Sequence, residues 1–329
     1  MKKLFFFVAF VAMSVVSVAQ VNQLVWANGR LLYGTPVESM DSLTYDEMQD
    51  VDTLHLLLPR TLIQVVHDTV IIHDTVYITV PGGEDTPSAG IGTFSVSATK
   101  QVTFSKGNLQ YHPANNEWRF AESQLDYIGN ANGNISSTYN GWIDLFGWST
   151  STTNFGVSTS TSNSDYSGSF VDWGTNKIGN DAPNTWRTLN YDEWNYLCWE
   201  RPNCSNLCGV AQVNGVNGLV FLPDNWTCPA GVIFKSGFHS NYGVDYYAAY
   251  QTFTAEQWSK LEAAGAIFLP AAGYRGGTSV GSVRNCGYYW SATGCDGYGA
   301  YCLVFDSGGA YMGGSDRNYG RSVRLVKDL

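Results

Sequence analysis

The sequence predicts an α+β protein with two helices, many short strands and much irregular chain. Three features of the composition favour a loop-rich domain held by aromatic packing over a helical bundle or a disordered chain, and the short apolar segments and two capped helices described below then favour the α+β class. Glycine occupies 35 of 329 positions, and glycine at this frequency weakens helix interiors. Aromatic residues reach 14%, which is enough ring surface to hold a folded core. Charged residues make up only 14%, so we expect loops whose polar surface is mostly uncharged.

The net charge limits the partners. The chain has 18 Lys and Arg against 28 Asp and Glu, a formal charge of −10. Nucleic acids and anionic lipid surfaces attract basic patches, and the sequence contains no basic stripe. We therefore exclude nucleic acid as a partner, along with the surface of an anionic membrane.

Residues 1–19 have the pattern of a secretory signal peptide. Lys2 and Lys3 precede the apolar run Leu4–Val16, and Ser17 to Ala19 supply the small residues before a cleavage site. The apolar run is too short to cross a bilayer comfortably. We expect an exported protein at the cell surface, in the periplasm or outside the cell, with no membrane insertion after signal removal. An uncleaved membrane anchor is the alternative.

Residues 20–60 predict a small β-rich unit, and residues 61–92 predict a stalk. Asn28-Gly29 lies between two apolar runs and is a strong hairpin signal. The sequence HDTV then occurs twice, within Val65–Val70 and Ile71–Val76. The His-Asp pairs of an extended strand do not converge on a metal. Each repeat begins with a pair of apolar residues, Val65-Val66 and Ile71-Ile72. Because these pairs have no partner in the local sequence, such a stalk could associate with copies of itself. Pro81–Gly92 has the composition of a flexible linker.

Residues 93–329 predict one domain with two capped helices. Segment Asn190–Glu200 begins with an N-cap residue and has Glu193 three positions later, which is the capping-box spacing. Segment Thr254–Gly265 has the same arrangement with Gln257 and ends at a glycine stop. Short apolar segments between Gly, Asn and Ser clusters predict strands at 94–98, 101–105, 218–223, 266–274, 300–305 and 321–327.

The cysteines all lie in the second half of the chain, and their number is odd. At least one is therefore unpaired within a monomer. The first four could form one or two disulfide bridges, while a zinc site would need a second close pair that the sequence lacks. The seven are Cys198, Cys204, Cys208, Cys228, Cys286, Cys295 and Cys302.

Several segments of this domain resemble a known fold. WRTLNYDEWNYL at Trp186–Leu197, the strand segments FLPDNW and FLPAAGYR, and the ending at Tyr288–Asp328 are similar to the C-type-lectin-like fold. The resemblance is to the branch shared with formylglycine-generating enzymes, the sulfatase-modifying factors, and covers about residues 93–328. It implies a lectin-like α+β domain, but a fold does not fix a function.

The stretch Gly294–Arg321 has an unusual composition, with eight Gly and four Tyr in 28 residues. Antibody combining sites favour the same residues, because Tyr gives large contact area at low entropic cost and Gly gives adaptable loops. The stretch also resembles the variable region of proteins diversified by retroelements. Such systems mutate adenines, and a randomised AAC codon cannot encode Lys, Glu, Gln, Trp or Met. Only Met312 breaks that pattern here.

This resemblance implies fixed and variable positions. We expect a buried framework at Trp290, Ala300, Leu303, Phe305, Val323 and Leu325. We expect ligand-facing, variable side chains at Cys295, Asp296, Gly297, Tyr298, Cys302, Val304, Asp306, Tyr311, Gly313, Gly314, Ser315, Asp316, Asn318, Tyr319 and Arg321.

Three alternatives compete with a binding protein. Cys286 and Cys295 could be the reactive pair of a formylglycine-generating oxidase, but the sequence lacks that family's Arg-Gly-Gly-Ser-Trp and Cys-Arg-x-Ala motifs. Calcium-dependent sugar binding is the second alternative. Lectins of this fold that bind sugars through calcium typically contain Glu-Pro-Asn or Gln-Pro-Asp together with Trp-Asn-Asp. Glu200–Asn203 and Asp224–Trp226 contain similar residues, but in a different order. A structural surface protein without a ligand is the third. We expect a non-enzymatic protein without metal or cofactor, whose ligand is an unknown protein or glycan.

Overall fold

The computed structural model describes residues 92–329 in full and, nearer the amino terminus, the backbone of three strands at 22–27, 30–36 and 55–56. The chain divides into two units, Met1–Thr86 and Pro87–Leu329. The predicted signal peptide at 1–19 and the HDTV stalk and linker up to residue 91 lie outside the described residues.

The described strands of the first unit form one antiparallel sheet. They are β1 (Asn22–Ala27), β2 (Arg30–Pro36) and β3 (His55–Leu56), in the order β2-β1-β3. Ala27 pairs with Arg30, so a two-residue connection joins β1 to β2. The hairpin predicted from Asn28-Gly29 is confirmed.

The second unit contains many strands and few helices, which confirms the α+β class. Its helices are α1 (Tyr191–Asn195), α2 (Tyr246–Tyr250) and α3 (Ala255–Ala263), and a π-helical turn (Tyr196–Glu200) continues α1. Its strands are β4 (Phe94–Ser95), β5 (Gln101–Phe104), β6 (Leu109–His112), β7 (Glu117–Phe120), β8 (Arg187–Thr188), β9 (Cys208–Val213), β10 (Val216–Phe221), β11 (Thr252–Phe253), β12 (Ile267–Pro270), β13 (Tyr274–Gly276), β14 (Ser279–Gly281), β15 (Gly287–Gly294), β16 (Gly299–Asp306), β17 (Gly309–Asp316) and β18 (Leu325–Asp328).

Both predicted helices are present with their caps, but the predicted number of two is wrong, because the structure has a third short helix, α2, that the sequence analysis did not predict. The side chain of Asn190 accepts a hydrogen bond from the backbone of Glu193, and the Glu193 side chain accepts one from the backbone of Asn190. Thr254 and Gln257 make the same reciprocal pair at the start of α3. None of the described helices has the length and apolar character needed to cross a bilayer.

Three larger sheets form the body of the second unit. Their strand orders are β11-β9-β10-β12, β4-β5-β18-β8 and β15-β16-β17, and the hairpins β6-β7 and β13-β14 stand beside them. The last strand, β18, pairs with β5 and β8, so the two ends of this unit meet in one sheet. The regular structure between β7 and β8 consists of short 3-10 turns. This long connection still contributes to the core, because its residues Phe146, Trp148 and Trp173 are buried in one cluster with Trp118 of β7.

Candidate ligand-binding face

The sheet β15-β16-β17 has a core-facing side and a second side that is only partly covered. On the core-facing side, Tyr289, Leu303 and Phe305 belong to a buried cluster. On the second side, Val304 pairs with Tyr288 of β15 and with Tyr311 of β17. These three residues therefore form a row across the sheet, because directly paired residues point to the same side of an antiparallel sheet.

Two further tyrosines, Tyr274 and Tyr319, extend this row. The ring of Tyr274 lies 5.7 Å from that of Tyr288 and 5.5 Å from that of Tyr319, both edge to face. Tyr311 is 60% exposed, and the other three rings are half-buried. We call Tyr274, Tyr288, Tyr311 and Tyr319 the tyrosine face.

Arg321 lies beneath the tyrosine face. Its guanidinium carbon is 4.4 Å from the ring centre of Tyr288, 5.2 Å from that of Trp290 and 5.8 Å from that of Tyr319. One terminal nitrogen donates a hydrogen bond to the Ser315 hydroxyl. Nε and the other terminal nitrogen have no hydrogen-bond partner, so aromatic rings supply most of the polar environment of this cation.

The hydroxyl of Tyr288 stays protonated near neutral pH. Burial, reinforced by the neighbouring Cys286 thiol, raises the pKa of Tyr288. A neutral phenol can both donate and accept a hydrogen bond. The tyrosine face therefore presents ring surface together with hydroxyl donors and acceptors.

The fifteen predicted ligand-facing positions fall into three groups. The structure exposes Asp296, Gly297, Tyr298, Tyr311, Gly314 and Asp316. It leaves Cys295, Asp306, Gly313, Ser315 and Tyr319 half-buried, and it buries Cys302, Val304, Asn318 and Arg321. The six framework positions are all buried: Trp290, Ala300, Leu303, Phe305, Val323 and Leu325.

The four buried positions correct the prediction. Cys302 is fully buried in the core. Val304 is 9% exposed, because it lies between the paired strand residues Tyr288 and Tyr311. Neither side chain offers a ligand significant surface.

The other two buried positions, Asn318 and Arg321, organise the surface instead of facing a ligand. The side-chain amide of Asn318 donates to the carbonyl of Thr161 and to the side chain of Asn163, which fixes a neighbouring loop. Arg321 supports the tyrosine rings from below. Sequence composition could not distinguish such supporting residues from exposed ones.

The tyrosines of the stretch 294–321 do not all lie together. Tyr301 is on the core-facing side of the sheet, where its ring packs against Tyr191 at 4.5 Å. Tyr298 lies in the β15–β16 turn and is 64% exposed. Only Tyr311 and Tyr319 of this stretch belong to the tyrosine face.

Sequence analysis missed Tyr274 and Tyr288, the other half of the tyrosine face. Alternation along a strand does place Tyr288 on the same side as Trp290. It could not show which side was open, because Trp290 and Tyr289 are both buried and both belong to core clusters.

A depression of about 440 Å³ adjoins the tyrosine face at Tyr319 and is also lined by Ser315. Its other walls come from the β15–β16 turn and the end of β17, and they carry the carboxylates of Asp296 and Asp316. One oxygen of Asp296 accepts a hydrogen bond from the backbone of Tyr298. The depression extends the tyrosine face with acceptor groups.

The cysteines form no disulfide bridge; all seven are free thiols. Cys286 immediately precedes β15 and Cys295 immediately follows it. At about 3.3 Å per residue, the nine residue steps from Cys286 to Cys295 separate them by roughly 30 Å along the extended strand, so they cannot act as one reactive pair. Burial is the largest cause that raises the pKa of each thiol.

Asp224, one of the residues considered for calcium binding, is engaged elsewhere. One carboxylate oxygen of Asp224 accepts hydrogen bonds from the backbone and hydroxyl of Ser95, and the other accepts one from Arg201 at 3.0 Å. Within residues 92–329, no three His, Cys, Asp or Glu side chains converge as metal ligands would.

Comparisons with known proteins give no match to this chain, whether among family models, curated proteins or solved structures.

Proposed function

We propose that this chain is an exported, non-enzymatic binding protein that presents the tyrosine face to a protein or glycan ligand. The row Tyr288, Val304 and Tyr311, extended by Tyr274 and Tyr319, carries this proposal. Clustered tyrosine rings provide amphipathic contact area at low entropic cost and dominate the energetics of many interfaces. The signal-like segment 1–19 supports export.

We propose the C-type-lectin-like fold for residues 93–329. Two features support it. Helix α1 packs against the β15-β16-β17 sheet through Tyr191, and the Trp194 indole donates a hydrogen bond to the carbonyl of Trp290 at 3.4 Å. The last strand also returns to pair with β5 near the start of the domain.

A non-enzymatic function is supported by the position of the cysteines. The separation of Cys286 from Cys295 along β15 removes the only pair that resembled an oxidase site. The engaged carboxylate of Asp224 likewise favours ligand contacts through aromatic rings over contacts through a bound calcium ion.

We further propose that a retroelement diversifies the segment 294–321. The exposed ligand-facing positions predicted in this segment lie in the β15–β16 turn and on β17, whereas the framework positions Ala300, Leu303 and Phe305 lie buried on β16, an arrangement that suits a fixed scaffold with exchangeable side chains. A side chain added at Gly297 would meet no atom within 4 Å, so that position can accept many residues.

Genome sequence around the gene tests the retroelement proposal. We expect a near-copy of the DNA that encodes about residues 288–326, differing at adenines and lying beside a reverse transcriptase gene. A neighbourhood without either element would favour a structural surface protein with a fixed sequence.

Binding by the mature chain tests the tyrosine face. Arrays of glycans and of surface proteins should yield a ligand whose affinity falls at least about tenfold in Tyr311→Ala and in Tyr319→Ala, because each change removes a contact ring. Trp199→Ala is the matched control, since this residue is 41% exposed and lies outside the tyrosine face. Ligands that bind both tyrosine variants as tightly as the wild type would contradict the proposal.

A further inference from the structure

A second cavity, of about 480 Å³, shares no residue with the tyrosine face. Hairpin β6-β7 forms one wall and residues 152–159 form the other, with Ser136, Ser137 and Asn176 among the remaining lining residues. Its size falls in the range of small-molecule sites in proteins. Nothing in the proposed function uses it.

Aromatic rings form the floor of this cavity. The ring centres of Tyr111 and Trp118 are 4.4 Å apart with planes tilted by 36°, and Phe155 meets Trp118 edge to face at 5.8 Å. Trp118 is buried and Tyr111 is half-buried. Tyr111 therefore offers ring surface from a position that the core holds in place.

The rim is polar but carries no charge. No Asp, Glu, Lys, Arg or His lines the cavity, whereas six Ser or Thr hydroxyls and three Asn amides do. Tyr111 donates a hydrogen bond to the side-chain oxygen of Asn116 at 2.9 Å, which leaves the amide nitrogen of Asn116 free to donate. The side chains of Ser137, Thr152 and Thr159 are exposed.

The wall at 152–159 is held in a fixed shape. Phe155 has a φ of 48°, a left-handed conformation that a bulky residue adopts only where its surroundings enforce it. Its carbonyl accepts a hydrogen bond from the buried Trp173 indole at 2.8 Å. Gly156, which follows, lies against the carbonyl of Gly147, so any side chain there would collide with that backbone. The cavity therefore exists before a ligand arrives.

We propose that this cavity binds a neutral carbohydrate. Pyranose rings present apolar C–H faces that pack on aromatic rings, and their hydroxyls exchange hydrogen bonds with Ser, Thr and Asn side chains. A phosphorylated or carboxylated ligand would need a cation that the lining lacks. An aliphatic ligand would leave the hydroxyl and amide groups of the rim without partners.

Titration of the mature chain with neutral hexasaccharides tests the inference. The probes are maltohexaose, cellohexaose, laminarihexaose, mannohexaose and xylohexaose, with hexagalacturonic acid as the charged comparison, followed by calorimetry and by saturation-transfer NMR. We expect at least one neutral probe to bind with a Kd of about 1 mM or tighter, and the charged one to bind more weakly. If no neutral probe binds at concentrations up to about ten times this Kd, the proposal is wrong.

Substitutions then locate the binding site. Tyr111→Ala should weaken the bound probe at least about tenfold, whereas Tyr111→Phe keeps the ring and should lose less. Tyr311→Ala on the tyrosine face should leave binding unchanged, which separates this site from the proposed function. If Tyr111→Ala binds the probe as tightly as the wild type, the carbohydrate binds elsewhere and the assignment is wrong. If Tyr111→Ala does not fold, the double variant Thr152→Ala with Asn154→Ala, whose two residues are exposed, provides the same test.

Discussion

Arg321 shows how one residue can organise a surface without facing a ligand. Its side chain is 7% exposed, and no carboxylate within the described residues pairs with it. Burying a cation is costly unless its surroundings replace water, and here the rings of Tyr288, Trp290 and Tyr319 do so together with the Ser315 hydroxyl. Arg321 therefore fixes the relative positions of two rings in the tyrosine face.

Asp144 is a second buried charge, and it makes a pH-dependent prediction. Burial raises the pKa of Asp144 to about 6, although hydrogen bonds from Asn132 and from the backbone of Ile128 oppose that rise. Because the folded pKa exceeds the value near 4 in an unfolded chain, folding favours the protonated form. The contribution of the Asp144 carboxyl group to the free energy of unfolding is complete below about pH 4 and is lost as the pH rises through 6. The free energy of unfolding falls by about 3 kcal/mol over this range because of this group.

Comparison with Asp144→Asn measures this contribution. The variant does not titrate at position 144, so the free energy of unfolding of the wild type minus that of the variant should fall between pH 4 and pH 6 and level off above pH 7. Urea unfolding at each pH provides the two values. A difference that is constant across this range would show that the carboxyl group has an ordinary pKa.

At the scale of elements, helix α1 was predictable from local sequence, but the turn that continues it was not. Asn190 and Glu193 were sufficient to predict the start of the helix, because a capping box needs only residues within one turn. The π-helical turn at Tyr196–Glu200 was not predictable in this way. There the backbone of Arg201 donates to the carbonyl of Tyr196, while the Arg201 side chain bonds to Leu197 and Asp224, so a distant residue contributes to the shape of the helix end.

The cap of α1 can be tested directly. Asn190→Ala should lower the free energy of unfolding by about 1 kcal/mol, because the backbone amide of Glu193 loses its acceptor at 2.8 Å. Asn190→Asp keeps an acceptor oxygen at the helix start and should remain close to the wild type. Equal losses in the two variants, measured by urea unfolding, would show that the hydrogen bond is not the source of the stability.

At the scale of the whole molecule, what could be predicted depended on the distance between the residues involved. The α+β class, both capped helices and the Asn28-Gly29 hairpin depend on neighbours in sequence, and all three are confirmed. The tyrosine face joins Tyr274 and Tyr288 to Tyr311 and Tyr319 across two sheets, and the burial of Cys302 depends on contacts with other parts of the chain. No pattern within one segment contains such information.

The mixed origin of the tyrosine face has a consequence for any diversified form of this protein. One of its four rings, Tyr274, comes from outside even the stretch of about residues 288–326 that we expect to be copied, so a mutated descendant would inherit it unchanged. Every member of such a repertoire would share this part of its contact surface. That inherited ring would bias all members toward ligands with flat rings or C–H faces, whatever the exchanged side chains select.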